Sequence, residues 1–199
     1  MPQASQAKLA RAMTHCEFNA GGVVFWEDDP GEVLYVIVSG HILVEHSAPN
    51  GDSIPFAIQG ADEVVGEDGL VVGIDRLSTV RAITDVTALS LSRAAFSDLC
   101  SSWPGFEHIT AQSLAIKNRQ LTNALMEARH RAPEERMRRQ LQSLGRIFGD
   151  EIPLSQRTIA GLAGTSRATA KGVFNALAEN GSIEVRGGRV FIKTGAGLD

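Results

Sequence analysis

The stretch Ile152-Pro153-Leu154-Ser155-Gln156-Arg157-Thr158-Ile159-Ala160-Gly161-Leu162-Ala163-Gly164-Thr165-Ser166-Arg167 decides how the C-terminal part of the chain folds. Ser155 can cap a helix that starts at Gln156, because a hydroxyl there accepts a hydrogen bond from an otherwise unsatisfied backbone N–H. Ile159, Leu162 and Ala163 then share one face, and Gly164 stops the helix because glycine tolerates a positive φ. Ser166 caps a second helix, with Val173, Phe174 and Leu177 as its buried face and Asn180-Gly181 as its end. Two short capped helices around a glycine turn, over about residues 155–174, form a helix-turn-helix.

Downstream, Ser182 to Val185 and Val190 to Lys193 are expected strands on either side of Arg186-Gly187-Gly188-Arg189. That hairpin is a wing with an arginine at each side of its tip. The second helix presents Ser166, Arg167, Thr169, Lys171 and Asn175 away from its core. Together with Arg186 and Arg189 these are the candidate DNA-binding residues. Hydroxyls and cations at a helix start suit phosphate oxygens, and Arg167 has the reach for a guanine edge in the major groove.

Upstream, Met137, Leu141, Leu144 and Phe148 recur at helical spacing. Pro133 is favoured at a first helical position, and Glu134 and Glu135 complement the positive helix end, so Ala132-Pro133-Glu134-Glu135 reads as a hinge and a fresh start. Before it, a long helix from about Phe106 to Arg131 carries Leu114, Leu121 and Ala128 seven apart, with Leu125 on the same side. Such a repeat lets a helix pack against a twin along one seam, which makes these four the candidate dimer interface. Pro104 is expected to separate this helix from a shorter one that begins at Ala94.

The first half reads as short strands between turns: Val23–Trp26, Ile54–Ile58, Val64–Val65, Thr79–Ala82 and Ala88–Leu91. Val33–Ser39 and His41–Glu45 are expected to pair with each other across Gly40. Closely spaced turns between short strands indicate a jelly roll. The fold class is therefore α+β: an N-terminal β jelly roll over 1–104, a dimerisation helix over 105–131 and a C-terminal winged helix-turn-helix over 132–199. Charge follows the same division. Residues 1–110 hold 5 Lys+Arg against 15 Asp+Glu, whereas residues 111–199 hold 14 against 8. The basic half is the candidate for nucleic acid.

In order and spacing, Leu34-Tyr35-Val36-Ile37-Val38-Ser39-Gly40, Gly66-Glu67-Asp68-Gly69-Leu70, Arg76 to Ala82 and Gly164-Thr165-Ser166-Arg167 resemble the CRP/FNR family of catabolite-activator-like regulators. The resemblance runs from about Phe18 to Lys193. It implies a sequence-specific, DNA-binding transcriptional regulator that is homodimeric on a two-fold symmetric operator and meets RNA polymerase. It also implies a sensor domain of cyclic-nucleotide-binding type that sets DNA affinity, with cyclic AMP or cyclic GMP as candidate effectors. By the same resemblance Gly66, Glu67 and Arg76 would hold the cyclic phosphate and ribose, and Thr122 would lie near the base. Leu77 follows the arginine where relatives have a hydroxyl, and Ser78 comes one place later. Asp68 stands where relatives are usually apolar. Glu67 and Arg76 could equally form an ion pair with each other. In the reading helix Ala168 replaces an acidic residue common among relatives and Gly172 an arginine, so a different operator is expected.

Other classes fit poorly. A nucleotide sensor that does not bind DNA has no use for Arg167, Lys171, Arg186 and Arg189. An enzyme would need a facial pair of histidines with a carboxylate, or a nucleophile, base and orienting group; neither is legible. Two cysteines, Cys16 and Cys100, cannot supply the four thiolates of an iron–sulfur cluster and suit a reducing cytoplasm. Among His15, Cys16, His41, His46 and His108 no spacing singles out a haem ligand. The start of the chain lacks a signal-peptide core, and no apolar run approaches the roughly 20 residues of a membrane span, so a cytoplasmic protein is expected.

Overall fold

A computed structural model describes residues 3–103 and 105–193. Pro104 lies outside them. The chain divides into two compact units that part within the long helix, between Gln120 and Leu121.

The first unit opens with α1 (Gln3–Ala12) and β1 (Thr14–Phe18), neither expected from the sequence. It continues through β2 (Val23–Phe25), β3 (Val33–Ser39), β4 (Ile42–Ser47), β5 (Ser53–Gln59), β6 (Val64–Val65), α2 (Glu67–Val72), β7 (Thr79–Ala82), β8 (Val86–Ser92) and α3 (Arg93–Ser102). The strands form two four-stranded sheets, ordered β1-β8-β3-β6 and β2-β7-β4-β5. This is the jelly roll, with one correction. β3 pairs with β8 and β6, while β4 pairs with β7, so the two strands flanking Gly40 belong to different sheets. Crossing over at Gly40 lets Ile37 and Ile42, 1% and 0% exposed, both reach the shared interior. Glycine is required there: its φ is 85°, and a Cβ would stand 2.1 Å from the Asp85 carbonyl oxygen. Val24, Phe25, Val44, Val65, Val80 and Val86 complete that core, and Tyr35 lies between Phe18 and Phe25. A second cluster gathers Leu34, Leu70, Leu91, Leu99 and Phe106 under α2 and α3.

α4 runs from Phe106 to His130 as one helix. The second unit then contains α5 (Pro133–Phe148), β9 (Glu151–Ile152), α6 (Gln156–Leu162), α7 (Arg167–Glu179), β10 (Ile183–Arg186) and β11 (Arg189–Ile192). Ala132 is the N-cap of α5 and Pro133 its first residue, as the hinge reading requires. Met137, Leu141 and Leu144 are wholly enclosed, and Phe148 at the end of the stripe is half-buried. Each full burial stabilises by about 1.5–3 kcal/mol relative to exposure. The wing is ordered β10-β11-β9, and its ladder extends to an Arg186–Arg189 pair, one residue beyond the expected strand ends. Only Gly187 and Gly188 remain for the turn, at φ 56° and 81°. A two-residue turn with both φ positive matches the twist of a hairpin and needs such residues.

Among the described residues no helix is long and apolar enough to cross a membrane. Leu141→Ala is expected to lower stability by about 2–5 kcal/mol, and Leu141→Met by less than about 1.5 kcal/mol, in urea titrations followed by circular dichroism.

Candidate nucleic-acid interface and sensor site

α7 begins where the Ser166 hydroxyl accepts the Thr169 N–H at 3.1 Å, and the two hydroxyls lie 3.0 Å apart. α6 repeats the device with Ser155 and Thr158 N at 3.0 Å. Both helix starts are therefore fixed by side chains instead of water. Ala170, Val173, Phe174 and Leu177 seal one face of α7 in the core. Ser166, Arg167, Lys171 and Asn175 are exposed on the rest of the helix, and Thr169 is half-buried. Ala168 and Gly172 are exposed as well. A Cβ at Gly172 would meet nothing within 4 Å, so packing does not ask for glycine there. The residue costs about 1 kcal/mol against alanine in a helix interior.

Both wing arginines already have carboxylate partners. Arg186 forks onto Glu184, with Nη2 2.8 Å from Oε2 and Nε bonded to Oε1, and this hydrogen bond holds the Glu184 carboxyl below the usual range. Arg189 Nη1 lies 2.5 Å from Glu151 Oε1. All four side chains are well exposed, and exposed pairs contribute little to stability, so a phosphate can take over either cation.

In the first unit the Gly66, Glu67 and Arg76 positions come together, but not as an ion pair. Arg76 is 4% exposed, with its guanidinium carbon 4.1 Å above the Phe25 ring centre. Nη1 donates to the Gly66 carbonyl at 2.9 Å and Nη2 to the Val33 carbonyl. Nε is buried with no partner among the described residues. Burial draws the pKa of Arg76 down, against the opposing influence of Tyr35, Asp68, Asp29 and Glu67. Glu67 instead meets Lys117 of α4, whose Nζ is 2.6 Å from Oε1 and also bonds the Val64 carbonyl. The Glu67–Arg76 alternative is thus corrected: a lysine some fifty residues away in sequence reaches the carboxylate first, and the arginine turns to main-chain carbonyls. Gly66 has φ 81°, and a Cβ on it would stand 2.3 Å from Arg76 Nη1.

Arg93, which sequence reasoning passed over, fixes the same region. It bonds the carbonyls of Gly31 at 2.9 Å, Gly69 at 3.1 Å and Leu70 at 2.7 Å, together with Glu32 at 2.9 Å. Lys117 was passed over too. Neither stands in a motif, and only the folded chain brings them to α2. Ser78 is half-buried beside an exposed Leu77, and Thr122 is exposed on α4 in the second unit. On the same helix Leu121 and Leu125 are 61% and 57% exposed, Ala128 is exposed and Leu114 is half-buried.

A jelly roll enclosing an arginine beside a glycine-started helix, followed by a winged helix-turn-helix, defines a two-module DNA-binding regulator with a sensor. Residues 15–102 match the family model for the cyclic nucleotide-binding domain, and residues 120–199 that for the Crp-like helix-turn-helix domain. The cyclic AMP receptor protein of Thermus thermophilus is 30% identical over 184 residues, covering 90% of this chain and 83% of that protein. The CRP-like cAMP-activated global transcriptional regulator of Mycobacterium tuberculosis is 29% identical over 194 residues, covering 94% and 87%. The c-di-GMP responsive global regulator CLP of Xanthomonas campestris shares the fold at a TM-score of 0.78, with 22% identity and coverage of 95% and 98%. The chain belongs to the CRP/FNR family of transcriptional regulators. It is a DNA-binding regulator with a sensor domain of cyclic-nucleotide-binding type.

Removing Lys117 leaves a buried carboxylate without its counter-charge. Lys117→Met is therefore expected to destabilise the protein by about 1–3 kcal/mol, and adding Glu67→Gln should recover most of the loss. Thermal and urea unfolding of the single and double variants measure both effects.

Proposed function

We propose that two copies of the chain pair along α4 and read a two-fold symmetric DNA site, each through the first turns of α7. The observation that carries this reading is the division of α7. One face is sealed in the core, while Arg167, Lys171 and Asn175 stand exposed beside a helix start capped by Ser166. Arg167 reads a base edge, Ser166, Thr169 and Lys171 hold phosphates, and Asn175 extends the contact along the groove. Arg186 and Arg189 exchange Glu184 and Glu151 for phosphates flanking the site. Pairing is supported by Leu121 and Leu125, which as exposed leucines on a long helix gain most from a partner, with Leu114 and Ala128 along the same seam. Ala168 and Gly172 give the operator a sequence of its own. Bound there, the dimer meets RNA polymerase in the cytoplasm.

We infer further that the sensor takes a cyclic nucleotide. The residues present fit a phosphate: Arg76 is a buried cation with an unpartnered Nε. Gly66 and Arg76 would face the phosphate, with Glu67 receiving a ribose hydroxyl and Ser78 supplying the hydroxyl that Leu77 lacks. The names of the Thermus and Mycobacterium relatives, which bind or respond to cyclic AMP, point the same way.

Selecting bound fragments from a random DNA pool tests the first proposal. Arg167→Ala should weaken the selected site about 5- to 100-fold while leaving the dimer intact, measured by fluorescence anisotropy and sedimentation. Retention of full sequence preference would place the reader elsewhere. Titration calorimetry with cyclic AMP and cyclic GMP tests the second: binding that Arg76→Ala abolishes supports it, and no heat from either at high micromolar ligand overturns it.

A further inference from the structure

Arg136 stands in the first turns of α5 and places its guanidinium on four backbone carbonyls at once. Nε donates to Ala163 at 3.0 Å and Nη2 to Gly164 at 2.6 Å. Nη1 donates to Arg131 at 2.9 Å and to Ala128 at 3.2 Å. The acceptors are the ends of two different helices. Ala128 lies in the last turn of α4 and Arg131 directly follows that helix, whereas Ala163 is the C-cap of α6 and Gly164 is the turn glycine at φ 59°.

Carbonyls at a helix C-terminus lack intrahelical donors and carry the negative end of the helix dipole. A cation shared between two such ends satisfies both, and charge-assisted bonds are about twice as strong as neutral ones. Only Thr165, whose N–H donates to the Ala160 carbonyl at 3.0 Å, separates the bound Gly164 from Ser166, the cap of α7. The carbonyls that Arg136 holds therefore set where α7 starts and which way its first turn faces.

The geometry assigns Arg136 as a positioning residue for DNA reading: its guanidinium braces the end of α4 against the turn that launches α7. A displacement at the end of α4 is then passed to Arg167 without slack. This assignment rests on the reading of α7 as the DNA reader. Lysine cannot replace the brace, because a single ammonium lacks the rigid planar fork that serves both helix ends together.

The test compares full-length wild type with Arg136→Lys and Arg136→Gln. Unfolding temperature identifies any loss of fold, and DNA affinity is measured on the selected site and on random duplex at several salt concentrations. Hydrogen exchange of the amides from Thr165 to Ala170 is followed without DNA. Arg136→Lys should stay folded and keep its affinity for random duplex and the salt slope of that binding. Its preference for the selected site should fall about tenfold, the worth of one aligned base contact, and the amides at the α7 start should exchange faster. A preference within about twofold of wild type, or unchanged exchange at those amides, overturns the assignment. Should wild type show no sequence preference at all, the DNA reading fails instead, and the exchange rates still decide whether Arg136 holds the start of α7. If Arg136→Gln unfolds, Arg136→Lys decides alone; if both unfold with the second unit, the role is structural and the assignment fails.

Discussion

The burial of one face of α7 is the constraint on which the second unit depends. Ala170, Val173, Phe174 and Leu177 pack into an interior shared with Met137, Leu141 and Leu144 of α5, Ile152 of β9, and Ile183 and Val190 of the wing. Because helical residues three and four apart lie on one side, sealing those four fixes the rotation of the helix about its axis. Arg167, Lys171 and Asn175 are outward as a geometric result. The hydroxyl caps then fix where the helix begins, so both its rotation and its start are set by the unit's own packing. Preorganisation of this kind removes part of the ordering cost of binding.

The sensor is organised around a different constraint, a cation held away from water. Arg76 sits over Phe25 and bonds the carbonyls of Gly66 and Val33, which places the guanidinium between the start of α2 and the start of β3. Arg93 holds the far end of α2, and Gly31 lies so close to it that a Cβ there would be 2.7 Å from the Gly69 Cα. Glu67 is joined to α4 through Lys117. The short helix is thus gripped at its beginning, its end and its one buried carboxylate. A ligand engaging Arg76 or Glu67 has to act on a linkage that also involves a residue of the long helix.

The helices and the hairpin of the second unit were legible almost to the residue, because caps, glycine stops and a 3.6-residue apolar period are local properties, whereas β9 was not read. Ser155, Ser166 and Ala132 stand at the helix starts read for them. The jelly roll was legible as strands and turns but not as pairings. Whether β3 bonds β4 or β8 depends on distant chain segments, and the glycine between them fits a tight hairpin as readily as a crossing between sheets. α1, a polar stretch with a weak apolar face, gave no signal, and neither did α2, a helix of 6 residues. The effector motif was visible, but its wiring was not. Lys117, Arg93 and Arg136 act on backbone carbonyls or carboxylates that only tertiary structure brings within reach. Leu114 fits the heptad of a dimer seam, yet it is partly covered by its own chain.

The glycine pair at the end of the wing has a steric consequence. With Gly187 and Gly188 forming the whole reversal, the leading edge of the hairpin is bare main chain, and no side chain holds it off an approaching surface. On the proposed reading, the peptide groups there lie flush against a sugar–phosphate strand once Arg186 and Arg189 exchange Glu184 and Glu151 for phosphates. Any larger residue at the tip would both resist the left-handed backbone and stand as a spacer between hairpin and duplex. On that reading the two positions govern how deeply the wing seats itself, independently of which bases are read.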